Sequence, residues 1–546
     1  METDSKLINQ GSYGCIYYPS LPFQLQRDKK NLQHKTKTSS AAAATTHQEV
    51  RSKYVSKLQK FNFHSDFEDH IGRKIQEIPS YELFFVPVLK TYKIDLATIK
   101  ESHVTGCDAI SKYIRRNTKS KSSESRQHHL TPNDYKKLNK HFIIQKMKYI
   151  NGLYLHRYLL DVINNTDDST PEKIIMSSSS SDSEASDDAT DAHDNDHQLK
   201  TQLTKTMRKD ERQVVKYRTQ FQKDEKNKSS YHFLSILFDL YERITDSIEL
   251  LIKYKIVHYD LKENNILIEK RHQLPYIIDF GLSIDVARLQ EHPWSEKQEE
   301  HSKSTIHSDI LYHTQSSKLF QYNYLWRQHF YVHAPDYFLW PIEIHLMTYL
   351  INESDTLTIE SLQRICSVYI SNNKAIAYMS RDFKKKMFKL SVATFSRFVD
   401  QPRETVLNEL LKYWDKWDIY AVNIMFLKIA YELLFHRESV GGKEDEDEHD
   451  SHESTTETTE TTETTETSKN KVSLNEDRQQ RFDPDPQSEK HMHFHSKYKV
   501  KLKDKYNNRK IMNTIQVMLR NIHPNPDKRM TPEETKAFFV SVFYQC

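Results

Sequence analysis

The stretch that most constrains this chain is Val257-His258-Tyr259-Asp260-Leu261-Lys262-Glu263-Asn264-Asn265-Ile266-Leu267-Ile268. Close behind it comes Tyr276-Ile277-Ile278-Asp279-Phe280-Gly281-Leu282-Ser283. The first stretch reads as a short strand, a polar loop and a second strand. The other reads as a third short apolar strand that runs into Asp279-Phe280-Gly281. The loop carries an aspartate (Asp260), a lysine two residues on (Lys262) and an asparagine three beyond that (Asn265).

These are the groups that phosphoryl transfer requires. One carboxylate must accept a hydroxyl proton, a cation must sit near the moving phosphate, and an amide oxygen with a further carboxylate must hold the metal that bridges the phosphates. The pair of stretches resembles the H-R-D-L-x-x-x-N and D-F-G signatures of eukaryotic-type protein kinases. Each string alone is a weak signal. Their order, their separation and the β-branched run that leads each of them carry the resemblance. It implies Asp260 as catalytic base, Asn265 and Asp279 as magnesium ligands, and Lys262 as the lysine that touches the transferred phosphate in Ser/Thr-directed members.

At 546 residues the chain has room for two or three average domains, or for one kinase domain swollen by insertions. With 37% hydrophobic and 28% charged residues it is too polar to form one compact body, so long segments must be solvated. The net charge of +3 says little about partners, and no nucleic-acid partner is expected. Cys15, Cys107, Cys366 and Cys546 lie far apart, with neither a disulfide framework nor zinc spacing, which points to a reducing, intracellular setting. The N-terminus lacks the features of a signal peptide and no apolar run is long enough to span a membrane, so a soluble protein is expected.

Along the chain, Ile8-Asn9-Gln10-Gly11-Ser12-Tyr13-Gly14-Cys15-Ile16-Tyr17 reads as strand, turn and strand, with glycines that let backbone amides approach phosphates. It resembles the kinase Gly-rich loop. Gly11 and Gly14 match its second and third glycines and Ile16 its valine, while Asn9 replaces the first glycine. By the same resemblance Gly11, Ser12, Tyr13, Gly14 and Ile16 touch ATP. Tyr54-Val55-Ser56-Lys57-Leu58 resembles the V-A-I-K strand, with Lys57 on the phosphates and Lys53 and Lys60 as less well placed rivals. A helix over 66–75 carries Phe67, Ile71 and Ile75 on one face. Glu68 is its candidate partner for Lys57, with Asp69 and Glu77 as rivals. Phe84 to Leu89 and Phe142 to Met147 read as strands. The resemblance makes Met147 the gatekeeper behind the adenine and Lys148-Tyr149-Ile150 the hinge that bonds the base.

Phe233 to Lys255 has helical spacing of apolar residues and feeds the loop at Asp260. The resemblance implies a long activation segment over 279–343. It ends at Ala334-Pro335-Asp336 or at Trp340-Pro341-Ile342-Glu343, and the second is preferred because a glutamate is needed to pair with a later arginine. A helical insertion fills 344–412. Tyr413-Trp414-Asp415-Lys416-Trp417-Asp418-Ile419-Tyr420-Ala421-Val422 opens another apolar helix, running to about Phe435; it resembles the D-x-W-S-x-G helix of kinases, which implies that Asp418 braces the catalytic loop. Asn525-Pro526-Asp527-Lys528-Arg529 resembles the closing turn whose Arg529 pairs with that glutamate. Basic and Ser/Ala/Thr-rich residues 27–50, polar residues 100–140, the Ser/Asp-rich 161–230 and the Thr/Glu-rich 438–490 read as insertions, the last two disordered. The alternating histidines His491, His493 and His495 read as surface residues rather than as a metal site.

The resemblance covers the chain from residue 8 to about 540. It implies an α+β, two-lobed kinase fold in one domain, 1–540, with a small β-rich N-lobe (6–151) and a large helical C-lobe (152–546). ATP and Mg2+ are the implied cofactors and a protein hydroxyl the implied acceptor. The style of the motifs and the long low-complexity insertions resemble the divergent Ser/Thr kinases of giant DNA viruses, whose setting would be host cytoplasm or virion. Tyr259 stands where most kinases have the arginine that receives an activation-segment phosphate, so independence from that phosphate is expected. A pseudokinase scaffold is the alternative reading.

Overall fold

The computed structural model describes residues 4–11, 14–25, 51–117, 130–167, 228–296, 323–435 and 505–544. Ser12, Tyr13, the insertions at 27–50 and 438–490 and the histidine run His491–His495 lie outside the described residues. The chain is α+β, with a sheet-rich N-terminal part and a helical C-terminal part, consistent with a kinase-like fold.

Strands β1 (Lys6–Gln10), β2 (Gly14–Tyr18), β3 (Tyr54–Lys60), β5 (Lys90–Tyr92) and β6 (Phe142–Lys148) form one antiparallel sheet in the order β1-β2-β3-β6-β5. Side chains alternate across it, as the two-residue period of a strand dictates. Cys15, Tyr17, Leu58, Phe142 and Ile144 pack on the outer face, while Ile16, Val55 and Met147 gather on the inner one. Three helices lie within the stretch expected as a polar insertion: α2 (Glu101–Thr105), α3 (Asp108–Asn117) and α4 (Pro132–His141). Val104, Ile110 and Leu138 are fully buried against the outer face of the sheet, and their lysine neighbours conceal this in the sequence.

A second correction concerns the cysteines. Cys15 on β2 and Cys107, between α2 and α3, form a disulfide with an S–S distance of 2.05 Å across 92 residues. Spacing along the chain did not reveal it because the fold, not the sequence, brings the two thiols together. The step from cysteine spacing to a reducing compartment therefore loses its footing.

Helix α1 (Phe63–Gln76) begins three residues earlier than its apolar repeat indicates. Asn62 caps it: its side chain accepts from the Ser65 amide at 2.9 Å, and Ser65 Oγ accepts from the Asn62 amide at 2.9 Å. Such reciprocal capping satisfies two otherwise orphaned N–H groups. Phe67, Ile71 and Ile75 are buried on one face, as the spacing predicts.

A second sheet has the order β4-β10-β9-β7, from β4 (Phe85–Val86), β7 (Gly152–Tyr154), β9 (Ile266–Glu269) and β10 (Pro275–Ile278). β4 runs parallel to β10, so a piece of the expected N-lobe is built into this sheet. Of the strand expected over 84–89 only Phe85–Val86 is strand, as β4, and β5 begins just beyond it at Lys90. Beyond it, α5 (Leu155–Asp167) carries helix into a region expected to be disordered from residue 161. α6 (Lys228–Lys253) leads to β8 (Ile256–Val257), and β11 (Ile284–Asp285) pairs with β8. α7 (Val286–Glu291) and α8 (Asn323–His329) follow.

The helical insertion consists of α9 (Ile342–Asn352), α10 (Ile359–Ser371), α11 (Arg381–Phe395) and α12 (Arg403–Leu411). α13 (Trp417–Phe435) is buried on every side from Ile419 to Ala430, the mark of a central core helix. α14 (Lys505–Asn521) and α15 (Pro532–Tyr544) close the chain. One apolar core runs without a break from Phe63 on α1 to Phe539 on α15. Among the described residues no helix is long and apolar enough to cross a membrane.

Candidate active site

The loop between β8 and β9 is braced from below. Both carboxylate oxygens of buried Asp418 accept backbone N–H groups, from His258 at 2.6 Å and from Tyr259 at 3.1 Å. The bonds hold Tyr259 at φ 68°, a left-handed conformation that costs a non-glycine residue about 1–3 kcal/mol. Burial raises the Asp418 carboxyl above its ordinary pKa, against the pull of His258 and the two amides. Glu263 adds a second brace through a buried ion pair with Lys428 on α13 at 3.0 Å. This pair has no signature in a linear motif.

The bend sets the polar groups. Asp260 Oδ2 accepts from Lys262 Nζ at 2.8 Å and from Asn265 Nδ2 at 3.1 Å, and Asn265 Nδ2 also donates to the Asp260 carbonyl at 2.7 Å. With its nitrogen turned inward, Asn265 keeps Oδ1 for another partner. Burial lowers the Lys262 pKa but the Asp260 charge outweighs it, so the ammonium is held protonated.

Across the cleft, Lys57 Nζ lies 2.9 Å from Glu68 Oε1 and 3.1 Å from Asp279 Oδ1. The rivals Lys53, Lys60, Asp69 and Glu77 take no part in this bridge. Burial alone would lower the Lys57 pKa, but Asp279 and Glu68 raise it above its ordinary value. Glu68 is pushed up by burial against the opposing pull of Lys57. For Asp279 burial acts upward but Lys57 prevails, and the carboxyl is lowered. Gln59 Nε2 steadies Glu68 at 3.1 Å and is itself bonded to Gln145. Neither glutamine was read from the sequence. The available signal was Gln59's position two residues after Lys57, on the same face of β3. Lys57, Glu68, Asp260, Asp279 and Gly281 line a single pocket, so both carboxylate sites open onto one cleft.

Asp279 sits at φ 62°, and the turn it makes drops Phe280 into the core between Phe85 and His258, with centroids at 6.1 and 5.0 Å. His258 in turn bonds the Ile278 carbonyl at 3.0 Å. On the inner face of the first sheet Ile16, Val55, Met147 and Ile278 form an apolar wall with Val86, Val88 and Tyr276. Tyr149 stacks on Tyr18 at 3.8 Å, and its N–H is taken by the Lys53 carbonyl at 2.9 Å. That amide is engaged within the protein, so the hinge expected over Lys148-Tyr149-Ile150 rests on its other backbone groups. Gly11 has open space around it, whereas a Cβ on Gly14 would meet the Leu58 carbonyl at 2.4 Å. Gly14 is needed for the close approach of β2 to β3. Asn9 reaches across to the other sheet and donates to the Tyr154 hydroxyl at 2.7 Å.

The segment 323–343, within the expected activation segment, is held by rings. Trp340 Nε1 donates to the Tyr259 carbonyl at 2.7 Å, and its ring lies 4.7 Å from that of Tyr259, which also meets Phe330 edge-on at 5.8 Å. His329 is buried against Phe63 and Phe67 of α1, and burial lowers its pKa to about 3. Of the two candidate ends of the segment, Glu343 is the one bonded by Arg529, with Nη2 3.1 Å from Oε2 and both side chains buried. Asp336 is exposed. Tyr337, not singled out in the sequence, donates its hydroxyl to Asp260 Oδ1 at 3.0 Å.

Asp279 and Asn265 offer one carboxylate and one amide oxygen, a donor set that suits magnesium when substrate phosphates supply further oxygens. Among the described residues no three His, Cys, Asp or Glu side chains gather into a metal cage, and magnesium shared with phosphates requires none. No protein-family model matches the chain, and no curated protein does. Among solved structures, the BubR1 kinase domain aligns over 77% of this chain and 84% of its own at 12% identity, with a TM-score of 0.22. A likeness so remote carries nothing about activity.

Proposed function

We propose that this chain is an ATP-dependent serine/threonine protein kinase. The observation that carries the reading is the bridge of Lys57 to both Glu68 and Asp279, made in the same cleft as Asp260 by residues up to 222 positions apart. In this reading Lys57 and the Gly11–Gly14 turn hold the nucleotide phosphates, and the wall at Ile16, Val55 and Met147 takes the base. Asn265 Oδ1 and Asp279 would hold magnesium, which supplies charge neutralisation at the β- and γ-phosphates. Asp260 orients the acceptor hydroxyl and takes its proton, while Lys262 steadies the charge that builds on the transferred group. The aromatic packing of Tyr259 with Trp340 and Phe330 aligns the activation segment without a segment phosphate bound at position 259. The motif style further groups the chain, in our reading, with kinases of giant DNA viruses.

A second reading, a nucleotide-binding scaffold without efficient transfer, draws on one observation: the Tyr337 hydroxyl already occupies Asp260 Oδ1. One experiment separates the two. Wild type and Asp260→Asn are given Mg-ATP and casein, and nucleotide binding is followed by thermal shift. Phosphoserine and phosphothreonine from wild type alone, with similar nucleotide binding by both, is the expected result. Nucleotide binding with no transfer by wild type favours the scaffold. Full turnover in the variant refutes Asp260 as base.

A further inference from the structure

We propose that Tyr337 is an intramolecular phosphate acceptor of this chain. The inference rests on the kinase reading above and adds a modification site to it. A hydroxyl ready for transfer is one that donates to the base, and here that hydroxyl belongs to the protein itself: Tyr337 to Asp260 Oδ1 at 3.0 Å. The other carboxylate oxygen is already engaged by Lys262 and Asn265. Oδ1 is thus the side of Asp260 left for an acceptor, and Tyr337 is on it.

The contact is built rather than incidental. The Tyr337 amide donates to the Ala334 carbonyl at 3.0 Å, the Trp340 amide donates to the Tyr337 carbonyl at 3.2 Å, and the two rings meet edge-on at 4.9 Å. Trp340 is in turn fixed to the Tyr259 carbonyl, one residue before the base. Loop, tryptophan and phenol therefore form a closed circuit around Asp260, the sort of positioning that makes an intramolecular reaction fast.

The step balances with a nucleoside triphosphate as the only co-reactant. The phenolic oxygen attacks the γ-phosphorus, the bond from that phosphorus to the β,γ-bridging oxygen breaks, and the nucleoside diphosphate leaves with the electron pair. The phenolic proton passes to Asp260 and from there to solvent. The product ester oxygen has no hydrogen to donate, and its phosphate carries charge of the same sign as Asp260. The contact is undone by its own reaction, and Oδ1 becomes open to a protein substrate without an upstream enzyme.

The test uses the full wild-type chain, treated first with phosphatase, then given Mg-ATP with and without casein over a dilution series. Phosphosites are mapped by peptide mass spectrometry. The expected result is phosphotyrosine at Tyr337 approaching one per chain, with a first-order rate constant that does not change on dilution. Asp260→Asn chains mixed into the reaction should stay unmodified at Tyr337, and Tyr337→Phe should lose this phosphate. Transfer to casein with Tyr337 left unmodified overturns the proposal and leaves the kinase reading standing. A Tyr337 rate that rises with protein concentration overturns the intramolecular route. Transfer to neither acceptor removes both readings.

Discussion

Replacing Asp418 by alanine tests whether the bent loop before Asp260 depends on this buried side chain. Asp418 is 4% exposed and accepts the amides of His258 and Tyr259 at 2.6 and 3.1 Å. Each bond to a charged acceptor contributes about 1.5–3 kcal/mol, and each amide left buried without a partner costs about 1–3 kcal/mol. Relief from burying a carboxylate offsets part of this loss. We therefore expect Asp418→Ala to lower stability by about 3 kcal/mol. Asp418→Asn keeps one accepting oxygen and should lose roughly half as much. Without the two bonds Tyr259 loses the anchors on the amide side of its positive φ and keeps only the Trp340 bond and ring packing, so the backbone relaxes beside Asp260. On the proposed kinase reading, a shift of about 1 Å at Asp260 should lower turnover by roughly a hundredfold. Urea midpoints at constant m-value give the stability change, and hydrogen exchange reads the two amides directly. A variant within about 0.5 kcal/mol of wild type, with the His258 and Tyr259 amides still protected, refutes the reasoning.

Other outcomes follow from buried groups. His329 titrates at about 3 when folded, because burial disfavours its charge, and near 6.5 when unfolded. The unfolded chain then binds a proton the folded one refuses, so this contribution is complete above pH 6.5 and is lost as pH falls toward 3. The slope is about 1.4 kcal/mol per pH unit, and His329→Phe should remove that share from pH-dependent urea midpoints. Arg529→Leu leaves buried Glu343 unpaired and should cost about 3–5 kcal/mol, while the double change with Glu343→Leu recovers most of it in a double-mutant cycle. If Cys15 and Cys107 are linked in solution, both peptides escape thiol labelling until reduction, and reduction lowers stability by about 2–4 kcal/mol. Labelling of both thiols without reductant contradicts that bond.

What was legible in the sequence was the chemistry that depends on residue type within a short string. Asp260, Lys262 and Asn265 lie within six residues, and Asp279 follows a β-branched run, so local pattern was enough to propose them. Helix α1 was legible from its period, although its start depended on the Asn62 cap. Gln59, Gln145, Lys428 and Tyr337, which also support the site, were not legible, because each acts across a long separation and has no string of its own. Gln145 reaches Glu68 only through Gln59, Lys428 meets Glu263 across 165 residues, and Tyr337 meets Asp260 across 77. The helices over 101–141 were hidden for another reason. Their buried faces are narrow, and their many lysines and polar residues read as solvated chain.

The rings of Phe63 and Phe67 against Tyr324 and His329 make helix α1 and the segment after residue 323 a single packed unit. Glu68 rides on that helix, one turn from the aromatic contact. On the proposed kinase reading, an inhibitor that requires the helix to swing outward must first pry those faces apart and expose an uncharged imidazole to water. Compounds that accept the assembled posture should therefore outperform those that select a displaced one, and resistance to the first class should arise along this aromatic seam rather than at Lys57.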